Sequence, residues 1–255
     1  MCGRYSIVHD LLGIQTFFGV DVIDGTPRDT QIARYNIAPT QENWVIFEDE
    51  RDKKRHLAQF RWGLIPSWAK PEDVPAIGSR LVNARSETVL EKPSFKRAAL
   101  SRRCLVPMTA LYEWKSTRIG KKTVKVPQKI QPVEGGLLAV AGIYELWRSA
   151  KSSQQWITYS LLTQDANPFM REIHDRMPVF VPHRMWGDWL SCKTNDPRQT
   201  AELIHGVARS GAPALQACAV STALNSPSHE GPHLWSPFEG PSSGDQGDDE
   251  QGRLF

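Results

Sequence analysis

Apolar residues in the middle of the chain come in short runs, several of them alternating with polar ones. Such runs at 44–47, 57–62, 104–106, 111–115, 137–144, 156–163 and 179–181 predict β-strands. A period nearer 3.6 appears at 9–18, which predicts a helix. The clearest helix signal follows Asp196-Pro197: an N-cap residue, a proline at the first helical position, then Ala201, Leu203, Ile204 and Val207 on one face. Further helices are predicted at 94–100, 168–173 and 184–190, and the segment 118–131, with five lysines or arginines, as an exposed hairpin or loop. Strands and helices do not alternate regularly, so a doubly wound parallel sheet is excluded. The expectation is an α+β fold, a single domain whose largely antiparallel or mixed sheet, or open barrel, is flanked by helices. No internal repeat interrupts residues 1–236. Residues 237–255 are rich in Gly, Ser, Asp and Gln and are expected to form a disordered acidic tail.

Composition narrows the class. Of 255 residues, 40% are hydrophobic and 23% charged, and no run of about 18 apolar residues suggests a membrane span. The start of the sequence lacks the basic and apolar regions of a signal peptide, and Cys2, Cys104, Cys192 and Cys218 are scattered without a C-x-x-C pair. A reducing cytoplasm is expected, with no disulfide framework and no structural zinc. The net charge of +3 conceals an uneven distribution, because the tail is acidic and residues 1–236 carry 30 bases against 23 acids. That excess suits a polyanion such as nucleic acid, or serves solubility alone.

Candidate chemistry begins at Cys2. Its side chain is small, so removal of Met1 is expected and would expose a terminal 1,2-aminothiol. Such an α-amine, with an ordinary pKa of about 7.7–8.0, is substantially neutral near neutral pH and attacks carbonyl carbon. With an aldehyde it forms an imine, to which the thiol of the same residue adds, closing a thiazolidine that a lysine imine could not form. Two other readings stay open: Cys2 as a small residue starting a buried strand, and Cys2 as an amidotransferase nucleophile. The Arg and Asn-Gly signals that would hold glutamine in the latter are absent.

Seven short motifs follow in order: Met1-Cys2-Gly3-Arg4-Tyr5, Tyr35-Asn36-Ile37-Ala38-Pro39, Trp62-Gly63-Leu64-Ile65-Pro66-Ser67-Trp68, Asn83-Ala84-Arg85-Ser86-Glu87-Thr88, Arg103-Cys104-Leu105-Val106-Pro107, Tyr112-Glu113-Trp114 and His174-Asp175-Arg176-Met177-Pro178. As an ordered set over about residues 2–225 they resemble the SOS-response-associated peptidase (SRAP) family of abasic-site processing proteins. The resemblance implies covalent capture of abasic sites in single-stranded DNA through the N-terminal cysteine, with slow reversal and autoproteolytic removal of Met1. It also implies that Glu113 and His174 move protons, that Asn83 orients the Cys2 amine or the opened sugar, and that Thr163 contacts substrate. Glu113 also suits ring opening on its own chemistry, given burial in its apolar run; a surface ion pair is the alternative. Arg4, Arg85 and Arg176, inside the matched motifs, are expected on phosphates, and Trp68 stacked on a base or wedged beside the lesion.

The C-terminal Gln251-Gly252-Arg253-Leu254-Phe255 resembles peptides that dock on the replicative sliding clamp, with Gln251, Leu254 and Phe255 as anchors. No ligand cluster or phosphate-binding glycine loop appears, so no metal or other cofactor is expected. The chain is expected to be a nucleoid-associated monomer. Competing functions are an N-terminal-nucleophile amidohydrolase, an autoproteolytic peptidase and a non-catalytic single-strand-binding module.

Overall fold

The computed structural model describes residues 2–25, 31–149, 152–192 and 196–240. The order of elements is β1 (Tyr5–Asp10), α1 (Leu11–Phe18), β2 (Val22–Ile23), β3 (Gln31–Ile37), β4 (Glu42–Glu48), β5 (Arg55–Trp62), α2 (Val74–Arg80), β6 (Asn83–Arg85), α3 (Pro93–Ser101) and β7 (Arg103–Met108). There follow β8 (Ala110–Ile119), β9 (Lys122–Pro132), β10 (Leu138–Arg148), β11 (Gln155–Asp165), α4 (Pro168–Arg171), β12 (Arg176–Pro178), α5 (Trp186–Leu190), α6 (Pro197–Arg209) and β13 (Leu215–Ala219). The fold is α+β, in two sheets.

The first sheet runs β13-β9-β8-β1-β3, with every neighbour antiparallel. In the second, β11-β10-β7-β4-β5 returns to β11 through a parallel pairing at Thr158↔Arg61 and Tyr159↔Trp62, so the ring closes into a five-stranded barrel. Closure removes the free edges an open barrel would leave. Chain continuity through the seam depends on Gly63, whose amide donates to the Tyr159 carbonyl at 2.8 Å and whose φ is 118°. A β-carbon there would lie 1.9 Å from the Gly78 carbonyl oxygen.

β11 holds more neighbours than β10 and β5. Its distal half pairs in parallel with β6 (Leu161↔Asn83, Thr163↔Arg85) and antiparallel with β12 (Thr163↔Pro178, Asp165↔Arg176). Buried apolar side chains of both sheets form one continuous core, with Trp62, Tyr159 and Tyr5 fully enclosed. α6 forms as its N-cap signal requires: the Asp196 side chain accepts from the Arg198 amide, and Ile204 and Val207 face inward.

Several expectations are corrected. Residues 9–10 extend β1, and the helix starts at Leu11 because the Asp10 carboxylate caps it by accepting from the Gly13 amide. The strand expected at 179–181 is reduced to a single Phe180↔Val140 bridge, while the ladder on β11 is made by 176–178. Strands β3, β6 and β13 appear where no run was recognised. The folded chain continues past residue 236, since Pro237 bridges to Val220 and the Phe238 amide donates to Ala219. The anchors Gln251, Leu254 and Phe255 lie outside the described residues. Among the described residues no helix is long and apolar enough to cross a membrane.

Candidate active site

Four separate segments converge at one end of the seam between the sheets. Cys2 precedes β1 and is fully buried. The chain beside it is held against β8, where the Tyr112 amide donates to the Arg4 carbonyl at 3.0 Å. The next residue of β8, Glu113, is only 3% exposed. Asn83, the first residue of β6, donates from Nδ2 to the Cys2 carbonyl at 2.8 Å. His174 stands in the turn between α4 and β12, its own amide bonded to the Met170 carbonyl.

Electrostatics couples these groups. Burial pushes the Cys2 thiol well above its ordinary range, and the neighbouring Glu113 charge adds to that. Burial likewise raises Glu113, while the proximity of His174 pulls it partly back. A carboxyl raised in this way holds a proton closer to neutral pH, as a general acid requires. His174 Nδ1 accepts the Arg176 amide at 3.0 Å and lies 2.8 Å from Asp175 Oδ1. The two contacts ask opposite roles of Nδ1: without a hydrogen it accepts from Arg176, and with one it donates to Asp175. The Oδ1 atom of Asn83 is buried and finds no partner among the described residues, so one acceptor remains beside Cys2.

Behind this cluster lies a rigid aromatic wall. Tyr5 and Tyr159 share a 2.7 Å hydroxyl hydrogen bond, and Trp62 stacks on Tyr159 and meets Tyr5 edge-on. Trp62 also donates to the Val82 carbonyl, fixing the residue before Asn83.

The expected phosphate and base contacts fall into two groups. Arg85 is exposed at the end of β6, and Trp68 is 62% exposed on the loop after β5. Both face solvent. Arg4 is 9% exposed and is engaged by Asn36 Oδ1 at 2.6 Å and the Leu224 carbonyl at 2.9 Å, with its guanidinium over Trp114. Arg176 makes a two-point contact with Glu87 at 2.8 and 2.9 Å, pairs with Asp165 and donates to the Thr163 carbonyl. Thr163 is itself only 2% exposed. Asn36, Glu87 and Asp165 were assigned no role from the sequence. Asn36 and Glu87 lie inside the quoted motifs, and a carboxylate or amide placed among arginines was the available signal.

Fold and site together define an α+β protein in which an N-terminal cysteine, a buried glutamate, an asparagine and a histidine meet at the junction of a sheet and a barrel. The chain belongs to the SOS response associated peptidase (SRAP) family, whose sequence model matches residues 1–227. It is 36% identical over 234 residues to the abasic site processing protein YoqW of Bacillus subtilis, covering 92% of this chain and 98% of that one. It is 31% identical over 231 residues to the abasic site processing protein HMCES of Gallus gallus, covering 80% of this chain and 66% of that one. A crystal structure of a protein from Bacteroides thetaiotaomicron shares the fold, with a TM-score of 0.74 at 24% identity over 93% of this chain and all of that one.

Proposed function

We propose that this protein processes abasic sites in single-stranded DNA by trapping them covalently on Cys2. The observation that carries the reading is the convergence of Cys2, Asn83, Glu113 and His174, four residues far apart in sequence, on one partly enclosed point.

The chemistry follows from what each group offers. Removal of Met1 frees the Cys2 α-amine, by autoproteolysis or by a host aminopeptidase. Glu113, whose burial favours its protonated form, gives a proton to the ring oxygen as the hemiacetal opens, and the anomeric hydroxyl loses its proton to form the aldehyde. The amine adds to that carbon, and His174 supplies the proton with which the hydroxyl leaves as water, giving an imine. The Cys2 thiol then adds to the same carbon and its proton passes to the imine nitrogen, completing the thiazolidine. Delivery of the thiol from the same residue saves the entropic cost of a second encounter. Asn83 fixes the Cys2 backbone during both additions. Reversal follows the same path backwards, with Glu113 assisting ring opening of the adduct.

Arg85 and Trp68 engage the flanking strand, and Arg4, whose partners Asn36 and the Leu224 carbonyl are neutral, adds positive potential toward phosphates, whereas Arg176 already faces two carboxylates and acts by holding the strands of the site together. Base identity is weakly read, because these contacts address backbone and ring faces. The protein works as a monomer in the cytoplasm at the nucleoid, and residues 251–255 dock it on the sliding clamp; deletion of those five residues abolishes clamp pull-down. The decisive test mixes the Met1-processed protein with an oligonucleotide carrying one abasic site and resolves the products on a denaturing gel. A shifted band is expected, lost in Cys2→Ala. A normal yield from Cys2→Ala, or ammonia release from glutamine in place of a band, would overturn the reading.

A further inference from the structure

The β8–β9 hairpin runs on well past the site. Glu113 and Gln128 face each other across β8 and β9; β13 pairs with β9 no further than Gln128 and β1 with β8 no further than Leu111, and past Trp114 and Pro127, which still bond Asn225 and the Val220 amide, no other strand among the described residues pairs with the hairpin. The rest continues as a two-stranded arm through Ile119↔Lys122, closed by Gly120 and Lys121. Six residues beyond Glu113 carry the arm about 20 Å from the site. An isolated two-stranded hairpin is marginal in water and needs a reason to be there.

Its charge supplies one. Residues 115–129 contain Lys115, Arg118, Lys121, Lys122, Lys125 and Lys129 and no acidic residue. None of the six forms an ion pair among the described residues. Cations this close repel one another and weaken the hairpin, a cost with no return to the fold. Residues directly paired share a face, so Trp114, Ser116 and Arg118 stand on one side with Lys125, Thr123 and, at the base, Lys129. Arg118, Lys121 and Lys125 are exposed. At the base of the same face Lys129 sits 4.3 Å from the Trp235 ring and Arg4 lies 5.7 Å from that of Trp114. The two cation–ring contacts thus lie at the base of the arm, and Lys125, Arg118 and Lys121 carry the positive charge on from there to the tip, along the face of β8 opposite to that of Glu113.

We infer that the β8–β9 arm is a second DNA-binding element, gripping the sugar-phosphate backbone several nucleotides from the captured base. The inference rests on the proposed substrate being DNA and adds to it a length requirement. Arm and lesion pocket are joined by a continuous strand, so an oligonucleotide must extend past the pocket to use both. The contact is electrostatic and independent of sequence, so it strengthens binding without specifying bases.

The test uses the full chain and fluorescence anisotropy on undamaged oligonucleotides, one just spanning the pocket and one extending far enough to reach the arm. The triple variant Arg118→Gln, Lys121→Gln, Lys125→Gln is compared with wild type. Because three phosphate-neutralising charges are removed, the slope of log affinity against log salt on single-stranded DNA falls by about 2. A rise from about 50 to 200 mM salt then costs the variant roughly 20-fold less affinity than it costs wild type. The preference of wild type for the longer oligonucleotide shrinks toward one. The charge-keeping variant Arg118→Lys, Lys121→Arg, Lys125→Arg retains the wild-type slope and guards against misfolding. Loss on a single-stranded flank or on a duplex flank supports the inference and identifies which is gripped. An unchanged slope on both, or a loss confined to anionic vesicles, overturns it. Because undamaged DNA is the probe, failure of abasic crosslinking would sink the proposed chemistry while leaving this measurement standing.

Discussion

Glu113 shows how a single residue can be both legible and misjudged. Its place in Tyr-Glu-Trp marks it as an acid in an apolar run, but only the fold makes it 3% exposed and sets it beside Cys2 and His174. Because burial raises its folded-state pKa above the ordinary value of about 4.5, ionising it disfavours the folded state. That penalty is absent below about pH 4.5 and grows as pH rises through the folded value. Glu113→Gln is therefore expected to melt higher than wild type near pH ~7.5 and to match it near pH ~4, in thermal denaturation followed at both values. The same variant should slow crosslinking on the order of 10²- to 10⁴-fold, measured as band formation against time. Cys2 was legible for a similar reason, since its place directly after Met1 is a property of covalent structure. What Arg4 and Arg176 touch was not legible, because Asn36, Leu224, Glu87 and Asp165 are remote in sequence or unremarkable in composition.

At the scale of elements, periodicity found the strands that bury a continuous run and missed those that exist only because a neighbour offers an edge. β10 is buried on both faces from Leu138 to Ile143 and reads plainly. β6 and β12 are three residues each and carry too little pattern to be seen, yet by pairing with β11 they bring Asn83, Arg85 and Arg176 together. The barrel seam is as hard to foresee. Gly63→Ala would force a positive φ on alanine and drive its β-carbon into the Gly78 carbonyl, at about 3 kcal/mol or more in urea denaturation. A second tie is His56 of β5, whose ring nitrogens contact Asp24 and Asp52 at 3.1 Å. Burial opposes its charge, but the two carboxylates outweigh that and raise its pKa. The resulting stability is fully present below the ordinary value of about 6.5 and is lost as pH rises through the folded value. His56→Gln should therefore cost about 1 kcal/mol near pH 6, after allowance for solvent screening of the half-exposed carboxylates, and progressively less toward pH 9.

Over the whole molecule, the arginines separate into those that hold the protein together and those that face outward. Arg85→Ala is expected to lower affinity for single-stranded DNA several-fold and to reduce its salt slope by about 0.7, with the melting temperature unchanged. Arg176→Ala removes a clamp between β12, β11 and the turn after β6, leaves Glu87 and Asp165 without their counter-ion and should lower the melting temperature as well; calorimetry beside anisotropy distinguishes the two. The sequence alone determined which groups the proposed chemistry draws on, a cysteine directly after Met1, a glutamate, a histidine and an asparagine in an ordered set of motifs, along with the α+β class. Those are matters of covalent structure and local pattern. The tertiary structure decided which cations are already spent on carboxylates and carbonyls, that the barrel closes, and that a basic hairpin projects from the strand bearing Glu113. Burial and pairing are set by contacts between residues tens to hundreds of positions apart, and no local pattern encodes them.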